Sequence, residues 1–249
     1  RLVWRLVADG GRVLASDARE IGNQALGGVR EIGAVDFVVP PLDRAVRARL
    51  EVVVEGSDGF SCDNSWTYYL FPTRTPRRSA DVAVAPSLAA ALAARYSGLK
   101  KLGDSKVRVA IVEANSAEEE LARASGIDVI ALSNQAGEPN IHLGWWCSGE
   151  QVGTAFGRHP MLGKWPFEPA LCALHFRILK LGTKLPDENV APEDLVVVGE
   201  SATSAYCYLS DRRLPNGRHY IRVSGLDVLS DTPEGTAVLD GALDRMEER

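Results

Sequence analysis

Hydrophobic and polar residues alternate with a period of two through most of residues 1–72, which is the repeat of strands with one buried face. Residues 3–7 and 12–15 flank Asp9-Gly10-Gly11 and read as a β-hairpin. Residues 31–39, closed by Pro40-Pro41, read as another strand, as do residues 47–54 and 65–71. Leu50, Val52 and Val54 alternate with Arg49, Glu51 and Val53, so one face is expected to be covered. The pattern predicts a partial, Ig-like antiparallel β-sandwich over residues 1–72.

Residues 73–80 carry proline and three arginines without an apolar period and read as a solvated linker. The grammar then changes. Residues 81–85 read as a buried strand, Pro86 opens a helix running to about residue 95, residues 107–112 form a second strand, Ser116 starts a second helix with acidic residues in its first turn, and residues 127–132 form a third strand. Strand and helix in alternation predict a parallel sheet with helices on its faces, here a flavodoxin-like α/β domain over residues 81–249. Further on, residues 169–179 read as an apolar helix, residues 195–198, 204–209 and 218–223 as strands, and Thr232-Pro233-Glu234 as the cap of a closing helix.

Composition narrows the function classes without selecting one. With 249 residues, 45% hydrophobic and 24% charged, the chain can bury one large or two small cores. A net charge of -5 with no basic stripe argues against nucleic acid as a partner. No run reaches the roughly 20 apolar residues that a helical membrane span needs. Cys62, Cys147, Cys172 and Cys207 show neither C-x-x-C spacing nor disulfide density, so no zinc site and no cofactor is expected. The opening Arg1 and the few N-terminal strands suggest a piece of a longer polypeptide, and the compartment stays unassigned.

Chemistry-bearing residues concentrate between Leu143 and Pro160. Cys147-Ser148-Gly149-Glu150-Gln151 resembles part of the G-x-C-x-G-x-Q elbow of class I glutamine amidotransferases, which holds a thiolate at a helix N-terminus. Trp145 stands where that turn has glycine, and its side chain would crowd the backbone. A working thiol needs a base steadied by an acid. Those amidotransferases supply an H-x-E pair, but His175 precedes Phe176-Arg177, His219 precedes Tyr220-Ile221, His159 precedes Pro160, and His142 has no acid two positions on. Glu150 could pair with Glu168 for acid/base work, or simply favour a helix N-terminus. Trp145, Trp146 and Trp165 could stack on sugar rings or pack within the core or against another domain.

The chain as a whole resembles the C-terminal part of bacterial proteins related to glycoside hydrolase family 2. The motifs are Asn64-Ser-Trp-Thr-Tyr-Tyr-Leu-Phe-Pro72, Leu143-Gly-Trp-Trp, Gln151-Val-Gly-Thr-Ala, His159-Pro-Met-Leu-Gly-Lys-Trp-Pro and Gly225-Leu-Asp-Val-Leu-Ser-Asp-Thr-Pro-Glu. The resemblance implies a sandwich followed by an amidotransferase-like domain that has lost its triad and accompanies a sugar-cleaving barrel. It therefore implies no catalytic residue in this chain. Trp145, Trp146, Glu150, His159 and Trp165 become candidate contacts to carbohydrate, to a catalytic region N-terminal to the chain, or to a neighbouring subunit. Cys147 is the candidate nucleophile if the chain is instead a thiol-dependent hydrolase. A carbohydrate-binding module using the tryptophans is the other alternative.

Overall fold

The structure, a computed structural model, describes residues 1–23, 29, 31–133, 153–180, 183–184, 190–200 and 205–247. It is predominantly β, with three α-helices among the described residues, and divides into two compact units, Arg1–Thr73 and Arg74–Arg249.

In the first unit, β1 (Leu2–Ala8), β2 (Val13–Arg19), β3 (Val46–Glu55) and β4 (Ser61–Leu70) form one antiparallel sheet in the order β2-β1-β3-β4. Leu2, Trp4, Leu6 and Ala8 of β1 are buried while Arg5 is exposed, the outcome of a two-residue period with one covered face. Register aligns Trp4 with Val52, Leu6 with Leu50 and Ala8 with Ala48, and continues to Trp66 opposite Leu50 and Tyr68 opposite Ala48. The apolar face thus reaches edge strand β4, where Trp66 and Tyr68 remain 45% and 46% exposed. Residues 31–39 do not form the expected strand. Gly33 sits at φ +130°, which interrupts an extended run, and Phe37 instead turns its ring to Trp4 at 5.7 Å between centroids.

The second unit begins within the stretch read as a linker. Residues Arg77–Arg78 (β5) pair in parallel with Tyr96–Ser97 (β7). Its main sheet contains β6 (Val82–Val84), β8 (Val109–Glu113), β9 (Asp128–Leu132), β10 (Ala155–Phe156), β11 (Thr183–Lys184), β12 (Leu195–Glu200), β13 (Ala205–Arg213) and β14 (His219–Val223). The order is β10-β12-β13-β14-β9-β8-β6, with β11 also pairing with β13. From β14 to β6 the pairs are parallel, and from β10 to β14 antiparallel. All five residues of β9 and the first four of β8 are buried, because layers cover both faces and leave the continuous apolar runs of a two-sided strand.

Helix α1 spans Pro86–Leu92, α2 Ala117–Ala124 and α3 Pro233–Glu247. Ser116 caps α2 by accepting from the Glu119 N–H at 3.1 Å, while the Glu119 carboxylate accepts from the Asn115 N–H at 2.7 Å, so side chains satisfy donors the helix start leaves over. Thr232 Oγ1 accepts from the Gly235 N–H at 3.2 Å and Pro233 opens α3. Helices α2 and α3 lie on opposite faces of the sheet. Tyr220 of β14 donates its hydroxyl to Glu119 of α2, whereas Asp211 of β13 accepts from Arg245 of α3. Arg74 and Arg77, placed in the expected solvated linker, form ion pairs with Asp240, Asp244 and Glu247 of α3.

The expected helix over residues 169–179 is instead a series of turns. Side-chain and long-range bonds take over its backbone. The Cys172 N–H donates to the His175 ring, the Lys180 N–H to the Gly225 carbonyl, and the Asp227 N–H to the Ile178 carbonyl. These partners tie the segment to residues 225–227, and local helix propensity yields to tertiary pairing.

Candidate functional site

Of the residues singled out in the sequence, Trp145, Trp146, Cys147 and Glu150 lie outside the described residues, as does His142. His159, Trp165 and Glu168 are described, and Glu168 is half-buried. His159 and Trp165 both belong to a segment docked on α3.

Pro160–Leu162 forms a 3-10 turn that His159 opens by accepting the Met161 N–H on Nδ1 at 3.3 Å. The ring proton must then sit on Nε2, which lies 3.3 Å from Oδ2 of Asp211. Met161 is fully buried against α3 at Gly241. Lys164 pairs with Asp244 at 2.8 Å, and the Trp165 indole N–H donates to the Glu234 carbonyl at 3.2 Å. Residues 234, 241, 244 and 245 recur at helical spacing, so one stripe of α3 receives the whole segment.

That stripe makes a prediction at Gly241. A Cβ there would fall 1.9 Å from the Met161 carbonyl oxygen and 2.7 Å from its carbon. Ala is favoured over Gly inside a helix by about 1 kcal/mol, but forcing backbone apart costs typically about 1–3 kcal/mol and sometimes more. Gly241→Ala is therefore expected to lower stability by about 1–2 kcal/mol despite its better propensity. Urea denaturation checks this, and an increase in midpoint would show that the turn can withdraw from α3 at little cost.

Asp211 is the centre of the polar framework. Its side chain is 3% exposed. Oδ1 lies 2.8 Å from His219 Nδ1, and Oδ2 accepts from Arg245 Nε at 3.0 Å besides facing His159. Burial alone would raise its pKa. Hydrogen bonds from His159, His219 and Arg245, with the His219 charge, overcome that and hold the carboxyl well below the ordinary carboxylate range. An ionised carboxylate only accepts, so His219 carries its proton on Nδ1. The His219 backbone N–H is in turn held by buried Asp128 at 2.8 Å.

A second cluster pairs a thiol with an imidazole. Cys172 Sγ lies 3.6 Å from His175 Nδ1, which also accepts the Cys172 N–H at 3.2 Å. Phe156 stacks on the ring with centroids 3.6 Å apart and planes inclined by 9°, and Trp165 closes it at 5.5 Å. His175 is fully buried, and desolvation lowers its pKa from 6.5 to about 4. Its Nε2 is buried with no hydrogen-bond partner among the described residues. A base this weak, with Nδ1 already accepting a backbone proton and no acid behind Nε2 among the described residues, is poorly suited to activate the neighbouring thiol at neutral pH.

The chemistry that these two clusters support is framework chemistry. His159 spends both ring nitrogens on the turn and on Asp211. Trp165 is 7% exposed, and Phe156 and His175 pack beside its ring. Sequence reasoning centred on an H-x-E partner for Cys147 passed over Cys172-x-x-His175 and the convergence on Asp211. The first had a legible signal in its three-residue spacing. The second joins residues 159, 211, 219 and 245 and had none. Among the described residues, no cluster of three or more His, Cys, Asp and Glu side chains could hold a metal ion, and no helix is long and apolar enough to cross a membrane.

Comparison with known proteins adds one match and one blank. No curated protein matches the chain. Residues 1–72, which contain the four-stranded sheet, match the model of a domain of unknown function, DUF8488.

Proposed function

We propose that the chain is a noncatalytic C-terminal accessory region of a β-glycosidase-like glycoside hydrolase, packing against the catalytic barrel or a neighbouring subunit. In this reading the sheet of the first unit is one layer of a partial, Ig-like sandwich. The second unit is a flavodoxin-like, class I amidotransferase-like domain whose triad has been lost. The observation that carries the reading is the apolar sheet face that continues through Leu50 and Ala48 onto Trp66 and Tyr68, both half exposed on β4 and both inside the Asn64–Pro72 motif. Contiguous exposed aromatics on a strand are characteristic of surfaces that pack against another protein body. The imidazoles of His159 and His175 support it from the chemical side, since each is engaged in holding the fold.

Expression of the whole polypeptide encoded by the gene, beside the chain alone, tests this reading. The coding sequence upstream of Arg1 is expected to encode a barrel with paired catalytic glutamates, and the whole polypeptide to hydrolyse aryl β-glycosides that the chain alone leaves intact. Trp66→Ser with Tyr68→Ser is expected to destabilise the whole protein more than the chain. Glutaminase activity of the chain alone, abolished by iodoacetamide labelling mapped to Cys147, would replace the proposal with the thiol-hydrolase reading. Saturable quenching of tryptophan fluorescence by oligosaccharides would replace it with a carbohydrate-binding module.

A further inference from the structure

The four-stranded sheet of the first unit has two edges, and they are built differently. Edge strand β2 carries features that keep other strands away, namely the charged Asp17 and Arg19 and a register break opposite Leu6 and Val7. Arg19 also donates to the Ala34 carbonyl at 3.0 Å, and Asp17 Oδ1 takes the Ala18 N–H at 2.8 Å. Edge strand β4 contains no lysine, arginine or proline and pairs with β3 in unbroken register from Ser61 to Leu70. Residues 61–68 are all exposed. A long, regular and unguarded edge is a template for another strand.

Hydrogen-bond parity fixes which groups that edge offers. The Gly56 N–H donates to the Phe60 carbonyl and the Glu55 N–H to the Arg1 carbonyl. Bonded and unbonded pairs alternate along an antiparallel ladder, so the even-numbered residues of β4 bond to β3, while Ser61, Asp63, Ser65 and Thr67 turn N–H and C=O outward. The Ser65 N–H rests on Asn64 Oδ1 at 2.8 Å, an exposed side chain that a backbone carbonyl can displace. Charge then selects the occupant. Asp63 is the one charged residue of β4, and its side chain has no ion pair among the described residues. Register places Arg49 beside Thr67 and Glu51 beside Ser65 on the same sheet face as Asp63. Antiparallel pairing with a second copy about an axis at Ser65 sets Asp63 opposite the second copy's Thr67, in the row that continues to its exposed Arg49. Two strand spacings, about 10 Å, separate that acid from that arginine, within reach of their side chains. Centring the axis at Asn64 would put Asp63 in the row of Glu51, and centring it at Trp66 in the row of Arg47, which already pairs with Asp9. On the other face the Ser65 axis brings the two half-exposed Trp66 side chains into diagonal contact.

We propose that β4 is a homodimerisation edge, at which two copies of the chain join their four-stranded sheets by antiparallel β4–β4 pairing about a twofold axis at Ser65. Such an interface is self-complementary and closed, so association stops at the dimer. Backbone bonds supply the affinity, and the Asp63 row and the paired Trp66 rings supply the register. The pairing concerns the edge of the sheet rather than its face and does not rest on the accessory role proposed above.

Sedimentation equilibrium of the chain across the micromolar to millimolar range tests it. The weight-average mass is expected to rise from monomer to dimer and no further. Ser65→Pro removes an outward N–H and spares the β3–β4 bonds, so it is expected to weaken association about tenfold or more, each copy losing one backbone bond. Ser16→Pro, the same change at an outward position of β2, leaves association intact. Asp63→Lys is expected to weaken it several-fold, and adding Thr67→Glu to the same chain to restore it. Within one strand these two residues lie about 13 Å apart, so they meet only across the axis. Should Ser65→Pro fail to fold, the charge exchange and amide hydrogen exchange of the unaltered chain give the answer. The Asp63 and Thr67 amides gain protection with concentration, whereas those of Asn64 and Trp66, bonded to β3 in either state, do not. A chain that stays monomeric throughout, association undiminished by Ser65→Pro, or no rescue by Thr67→Glu would overturn the proposal. Protection of Asp63 and Thr67 that is independent of concentration would also overturn it, assigning the edge to a strand of the same polypeptide.

Discussion

Replacing Asp211 by Asn should cost the second unit about 3–5 kcal/mol, the usual penalty for removing one partner of a buried, hydrogen-bonded charge cluster. The carboxylate receives His219 and Arg245 and faces the proton-bearing nitrogen of His159. An amide has one acceptor oxygen and two donor hydrogens. If its oxygen keeps the His219 contact, its NH₂ is driven against Arg245 and His159, donor against donor, with the guanidinium charge left uncompensated. Domains have total stabilities of about 5–15 kcal/mol, so the variant should be visibly destabilised in urea and in thermal melts. Asp81→Asn is the matched control, because Asp81 pairs with Arg108 in a solvent-exposed ion pair and such pairs contribute about 0–1 kcal/mol. Equal losses in the two variants would show that the Asp211 cluster contributes no more than a surface pair.

Acidification from pH 7 to pH 4 should remove about 3 kcal/mol through His175 alone, at 1.36 kcal/mol for each unit separating its folded and unfolded pKa values. Burial against Phe156 and Trp165 lowers the folded value to about 4 from the ordinary 6.5. Above pH 6.5 the ring is neutral in both states and its contribution is complete. Between 6.5 and 4 the unfolded chain takes up a proton that the folded chain refuses, so stability falls as pH falls. Below about 4 both states are protonated and this loss stops growing. Urea midpoints measured across this window should therefore decline. In His175→Phe, which keeps a ring to stack on Phe156 and has nothing to protonate, the decline should be much shallower. A slope in the variant as steep as in the parent would assign the acid sensitivity to other groups.

Both predictions concern residues whose neighbours are remote in the chain, and the division between what could and could not be read beforehand follows from that. Periodicity located β1, β3, β6, β8, β9 and β14, because burial of one or both strand faces writes itself locally as alternation or as an apolar run. Ser116 and Thr232 marked the starts of α2 and α3, since capping is a contact between residues three apart. Residues 31–39 and 169–179 misled for the converse reason. The apolar side chains were legible, but the positive φ at Gly33 and the bonds from residues 178 and 180 to residues 225–227 are not local properties.

The sequence by itself determined the change from period-two alternation to strand and helix in turn, the capped starts of two helices, and the motif His159-Pro-Met-Leu-Gly-Lys-Trp-Pro as a unit. Tertiary structure decided what that unit is for. It sets Met161 on Gly241, His159 on Asp211 and Trp165 on Glu234. The physical reason is range. Backbone and capping preferences act over three or four residues, whereas desolvation and charge pairing depend on which distant side chains the sheet register and helix packing bring within a few ångströms.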